Sequence, residues 1–193
     1  GLCNRPHIRP LKGQAMFPIR DHNPSTGTPH VTRALILLNV MLFLLTAPWA
    51  GGMVGLWEGL ALYPVAVVDG ELLWGWFTHM FLHAGLLHLG GNMLFLWIFG
   101  DNLEDQMGHL GFLLFYLGCG LVAAAAQVLA EPSLGVPMVG ASGAIAGVMG
   151  GYLLMFPRAK VDVVAIIIIF IKMFTIPAWV MLAVWFGVQL VSG

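Results

Sequence analysis

Residues 79–105 read HMFLHAGLLHLGGNMLFLWIFGDNLED, and this stretch decides the fold. From His83 to Gly100 it carries no formal charge and is almost wholly apolar, close to the roughly 20 helical residues that cross a hydrocarbon core. The acidic residues Asp101, Glu104 and Asp105 predict its end. Inside it, His88 and Asn92 stand four apart, which places both on one face of a helix. His83 lies five positions before His88 and His79 four before His83, so all four polar groups can crowd one end of the span.

The rest of the chain repeats the pattern. A first span over residues 34–53 follows Arg33 and ends near Pro48, Trp49 and Gly51-Gly52. Residues 54–78 interleave Trp57, Tyr63, Trp74 and Trp76 with Glu58, Asp69 and Glu71, a mixture that suits a loop at headgroup level. A third span covers 110–130 and stops at Glu131 and Pro132. A fourth starts near Ser142 and stops at Pro157, with Arg158 and Lys160 behind it. The apolar stretch 163–191 contains Lys172 and Pro177 and is too long for one untilted crossing. It divides into an interfacial approach and a fifth span from about Thr175. Of the 193 residues, 59% are hydrophobic and 9% charged, against about half and about a quarter in soluble domains. The class is an all-α polytopic membrane protein.

Residues 1–33 are polar, broken by Pro6, Pro10, Pro18, Pro24 and Pro29, and form a leader without the features of a signal peptide. Five basic residues precede span one and two follow span four, while the loops after spans one and three have none. Lys and Arg are retained on the cytoplasmic side, so the leader is cytoplasmic. The formal charge of −1 offers no field for a phosphate backbone, which excludes nucleic acid as a natural partner. Cys3 and Cys119 make no disulfide framework and no CxxC pair.

An imidazole or carboxamide in apolar sequence needs a polar partner or a wet cavity. His88 and Asn92 can therefore bond neighbouring helices as structural glue, or can donate to a developing negative charge. His79 and His83 have ligand spacing, but neither a HExxH pattern nor a Cys/Asp cluster accompanies them, so no metal is expected. The second constellation is Gly140-Ala141-Ser142-Gly143. Gly143, Gly147 and Gly151 form a four-spaced stripe, and Ser142, Ala146 and Gly150 form the stripe beside it. Such stripes let helix backbones approach closely. Ser142 occupies the helix start, where free N–H groups favour negative charge. Ser142 to Phe156 spans about 21 Å against a core of about 30 Å, so the hydroxyl is submerged by roughly 9 Å. Gly118-Cys119-Gly120 with Ala123 mimics a dinucleotide fingerprint but lies within a span. Gly140-Ala141-Ser142-Gly143 also lacks the spacing of a hydrolase nucleophile elbow.

Thr78-His79, His83, His88 and Asn92 in span two, Gly140-Ala141-Ser142-Gly143 opening span four, and Pro177-Ala178-Trp179 in span five together resemble a rhomboid intramembrane serine protease. The likeness runs from about Asn23 to the last residue. It implies a rhomboid-like bundle with five of six core transmembrane helices present, residues 34–193 forming the membrane domain. It also implies Ser142 as nucleophile, with His88, Asn92 and the serine N–H holding the oxyanion. His83 and His79 are expected to stand behind them or hold water, and Gly140 and Gly143 to shape the backbone. No cofactor is implied. The partners implied are transmembrane protein substrates and the bilayer; no oligomeric state follows. The family's general base is a histidine on a sixth helix, whereas no histidine follows His109. The chain is therefore expected to be a fragment truncated before that helix, inactive as it stands. Gly75 also stands where many bacterial members have Arg. Two rivals remain open: a non-catalytic relative that binds client helices, and a transporter using His88 and Asn92 as a polar pathway. The short leader, without a transit-like Arg/Ser helix, suggests a multi-pass protein of the bacterial cytoplasmic membrane.

Overall fold

Gly108 decides how the longest apolar stretch folds. Its φ of 71° and ψ of 164° cannot continue a helix, and glycine reaches this conformation without a Cβ penalty. The computed structural model describes residues 15–23, 27–46, 52–167 and 170–192. In chain order they form β1 (Ala15–Asp21), α1 (His30–Thr46), three short helices α2 (Val54–Leu60), α3 (Pro64–Val68) and α4 (Gly75–Thr78), and a 3-10 turn (His79–Phe81). These are followed by α5 (Leu86–Ala130), α6 (Ser142–Met155), β2 (Lys160–Ile167), β3 (Phe170–Pro177) and α7 (Ala178–Ser192). Helix α5 breaks at Gly108 into two arms, each about 33 Å long at about 1.5 Å per residue.

The two arms run back along each other, with α6 packed on both. Gly143 of α6 abuts Ala123, Gly147 abuts Cys119, and at Gly151 an added Cβ would meet Leu103 at 3.0 Å and Phe115 at 3.2 Å. Ala123, Cys119 and Phe115 are themselves four apart, so two four-spaced rows lie against each other in opposite directions. The glycine stripe is thus a close helix contact, where side chains larger than hydrogen would push the backbones apart. Phe99 meets Tyr152 edge-on at 4.8 Å and Phe95 meets Trp185 at 5.8 Å, which ties the first arm to α6 and α7. On the outside, Leu87, Leu129 and Leu154 are 92%, 82% and 86% exposed. In water such a surface would be a liability; in lipid it has no cost. Among the described residues, α5 is the helix long and apolar enough to cross a membrane.

Three boundaries differ from those expected. Span two does not stop at Asp101, Glu104 and Asp105 but continues through them to Gly108. Glu104 is buried because it satisfies another helix: it accepts from the N–H groups of Val31 and Thr32 at 2.8 Å each, from Thr32 Oγ1 at 2.7 Å and from His109 Nδ1 at 2.6 Å. The free N–H groups that open α1 are capped by a carboxylate more than 70 positions away. Second, residues 160–167 and 170–177 of the stretch read as an interfacial approach form an antiparallel hairpin, and the last helix starts at Ala178 rather than Thr175. β-branched residues and strand alternation at Val161 and Val163, both fully buried, favour the sheet. Third, residues 15–21 of the stretch read as a leader are β1, the first strand in the order β1-β2-β3, and α1 begins at His30. Asp21 Oδ2 accepts from Tyr152 OH at 2.7 Å and from Asn102 Nδ2 at 3.0 Å, tying this strand to α6 and α5.

Candidate active site

Ser142 is the first residue of α6, and the preceding Ala141 gives that helix no side-chain cap. The N–H groups at this end are therefore available to a negative charge, with the helix dipole behind them. Ser142 is half-buried and Gly143 likewise. Among the described residues its hydroxyl has no recorded hydrogen bond.

The approach to Ser142 is made by Gly140, whose φ is 122°. Side chains rarely adopt that conformation, and here space forbids one as well. A Cβ at Gly140 would stand 2.7 Å from both Cε1 and Nε2 of His88. The imidazole of His88 thus lies on the backbone two residues before Ser142. Gly140 N donates to His79 O at 2.9 Å, while His79 Nδ1 donates to Gly75 O at 2.9 Å. His79 therefore holds the loop entering α6 through its backbone and anchors itself to α4 through its ring.

Asn92 sits one turn beyond His88 in the first arm of α5, and its Nδ2 donates to His88 O at 2.9 Å. A carboxamide has two N–H donors, so one remains. Asn92 Oδ1 is buried without a recorded partner among the described residues. His83 lies edge-on to His88 with ring centroids 5.0 Å apart, and both its ring nitrogens are buried without a recorded partner among the described residues. Buried polar atoms without partners are costly, and their concentration beside His88 marks the polar end of the bundle. The expected crowding of His79, His83, His88 and Asn92 is thus present, and the Gly140-Ala141-Ser142-Gly143 turn joins it. Among the described residues no three of His, Cys, Asp and Glu gather closely enough to hold a metal ion.

Two features escaped sequence reasoning. Glu104 was readable only as a stop; a carboxylate in an apolar helix needs a partner, but its donors at Val31 and Thr32 come from a remote segment. The groove beside the site was also hidden. A cavity of about 350 Å³ lies between α6 and α7, lined by Ala146, Trp179, Leu182, Ala183, Trp185 and Phe186. Ala146 is one turn from Ser142, so the cavity touches the small-residue stripe at that residue.

The chain is similar to known proteins. The family described as the Rhomboid domain matches residues 70–193. "Putative rhomboid protease YdcA" of Bacillus subtilis (strain 168) is 38% identical over 128 residues, covering 66% of this chain and 62% of that protein. "Rhomboid protease GluP" of the same organism is 34% identical over 131 residues, which is 66% of this chain and 25% of that one. "Presenilin-associated rhomboid-like protein, mitochondrial" of Homo sapiens is 31% identical over 100 residues, 51% of this chain and 25% of that protein. The chain thus spans 62% of the first of these relatives and a quarter of the other two.

Proposed function

Because this chain belongs to the rhomboid family of membrane proteins, we propose that it is an intramembrane serine endopeptidase with Ser142 as its nucleophile. The observation that carries the reading is the His88 ring lying on Gly140 at the uncapped start of α6. Attack by Ser142 Oγ on a peptide carbonyl places negative charge on the carbonyl oxygen. The Ser142 N–H, His88 Nε2 and the second N–H of Asn92 Nδ2 are the donors for it. Each preorganised donor is worth about 3 kcal/mol of barrier, roughly a hundredfold in rate. His79 positions Gly140, and His83 holds water against His88. Deprotonation of Ser142 falls, by the family resemblance, to a histidine on a sixth helix.

The substrate is a transmembrane segment, admitted through the cavity between α6 and α7. A hydrogen-bonded helix hides its carbonyls, so the scissile part must unwind before a submerged hydroxyl reaches it. Pro and Gly near that end of the substrate weaken the helix and favour cleavage. The leader lies on the cytoplasmic side, as its basic residues direct, in a bacterial cytoplasmic membrane.

A second reading, a non-catalytic member that binds client helices, is favoured by one observation: no side-chain base among the described residues hydrogen-bonds Ser142. A fluorophosphonate probe applied to the full-length protein in detergent separates the two. Labelling that disappears in Ser142→Ala supports the protease; an unlabelled protein that still retains transmembrane peptides supports the binder.

A further inference from the structure

The hairpin β2–β3 changes character along its length. At its base, Lys160 pairs with Pro177 and Asp162 with Thr175 on one face, while Val161, Val163 and Ile176 of the other face are buried. That alternation is a sheet with one side on the core and one side wet. From Val164 onward it stops. Val164 pairs with Met173, Ala165 with Lys172, Ile166 with Ile171 and Ile167 with Phe170. With Lys172 the one exception, both faces carry apolar residues. Met173, on the same face as Asp162 and Thr175, is 60% exposed. Strand β1 extends the apolar end sideways, pairing Phe17 with Val164, Met16 with Ala165 and Ala15 with Ile166.

A hairpin that ends in water draws on Gly, Asn or Asp for its turn, yet none of these, nor Pro, occurs between Val163 and Met173. Position and charge say what meets the apolar end instead. Met155 ends α6, and Ala178 opens α7 directly after β3, with Ala178 N donating to Ala159 O at 3.0 Å. The base of the hairpin is therefore fixed at the ends of two apolar helices of a membrane protein, directly at α7 and through the four residues 156–159 at α6. Arg158 and Lys160 are exposed there and Lys172 lies further along β3. The single carboxylate between residues 158 and 177, Asp162, accepts from His22 Nε2 and Thr175 Oγ1, at 2.7 Å each. The segment thus carries a net positive charge, which suits anionic headgroups.

We propose that the distal half of this hairpin, Val164–Ile167 with Phe170–Met173, lies in the lipid of the leaflet at which α6 ends, as a monotopic anchor. Arg158, Lys160 and Lys172 meet phospholipid phosphates. A segment of this kind sits about 5–10 Å into the headgroup–acyl boundary. The anchor holds the start of α7, and hence one wall of the cavity beside Ser142, in register with the membrane surface. The inference rests on the chain being a membrane protein and not on chemistry at Ser142, so an unreactive serine would leave it standing.

The test places an environment-sensitive fluorophore on Ile171→Cys, on Met173→Cys and, at the hairpin base, on Thr175→Cys, in a full chain carrying Cys3→Ser and Cys119→Ala. The proteins are reconstituted in vesicles of phosphatidylcholine and phosphatidylglycerol. At 171 and 173, spin-labelled lipid should lower emission by about twofold or more while aqueous iodide barely acts, as expected of an interfacial segment; at 175 iodide should be the stronger quencher. Iodide quenching that dominates at 171 and 173 overturns the proposal. Protection from both quenchers there also overturns it and shows a protein cover such as a second copy. Two neighbouring label sites guard against one substitution disturbing the strand.

Discussion

Gly140→Ala isolates the link between backbone shape and chemistry. Its φ of 122° lies where a side chain is strained, at a cost of about 1–3 kcal/mol. The new methyl carbon would start 2.7 Å from Cε1 and Nε2 of His88, whereas ordinary contact begins at 3.4 Å. The ring must therefore retreat by about 0.7 Å, close to the roughly 1 Å misplacement that costs on the order of a hundredfold in rate at a catalytic group. Labelling of Ser142 by a fluorophosphonate, followed in time on the full-length protein, should slow by about that factor while the protein stays folded. Gly150→Ala, where an added Cβ meets nothing within 4 Å, should label at the wild-type rate. The effect should also not add to that of His88→Ala, since both act on one donor. A folded Gly140→Ala protein that labels within about threefold of wild type, or losses that multiply in the double variant, would refute the role given to His88.

Two further outcomes follow from the polar contacts at the opposite end of the bundle. Glu104→Ala leaves the buried donors of Thr32 and the half-buried N–H of Val31 unpaired. It should cost about 3 kcal/mol, lowering the melting temperature by roughly 6–12 °C in detergent, whereas Glu104→Gln, which keeps one acceptor, should fall between; an unshifted Ala variant contradicts the capping role. Burial holds the Asp21 carboxyl above its ordinary range, the Tyr152 hydrogen bond opposes this, and Asp101 adds to it. The folded state thus keeps a proton that the unfolded state has lost, and stability falls as pH rises from the unfolded value through the raised one. Asp21→Asn keeps an acceptor for Tyr152 and removes that loss. Its melting temperature relative to wild type should rise between pH 4 and pH 7, and a difference that shrinks over this interval contradicts the assignment.

The helical membrane class and the separate apolar helices are legible in the amino-acid sequence alone. Hydrophobic length and the i to i+4 spacing of His88 and Asn92 are local properties, set by 1.5 Å per residue and 3.6 residues per turn. The four-spaced glycines announced a close contact for the same reason, and Ala123, Cys119 and Phe115 answer it. Where charge could be buried and where a strand could form depended on packing. Glu104 looks like the end of a span until Val31 and Thr32 arrive from far along the chain. The stretch from Val163 to Thr175 reads as an approach to the last span, with no strand in view, until β1 supplies the hydrogen bonds of an adjacent strand. Both depend on partners remote in sequence, because a buried carboxylate and an extended backbone are stable only when something else satisfies their polar atoms.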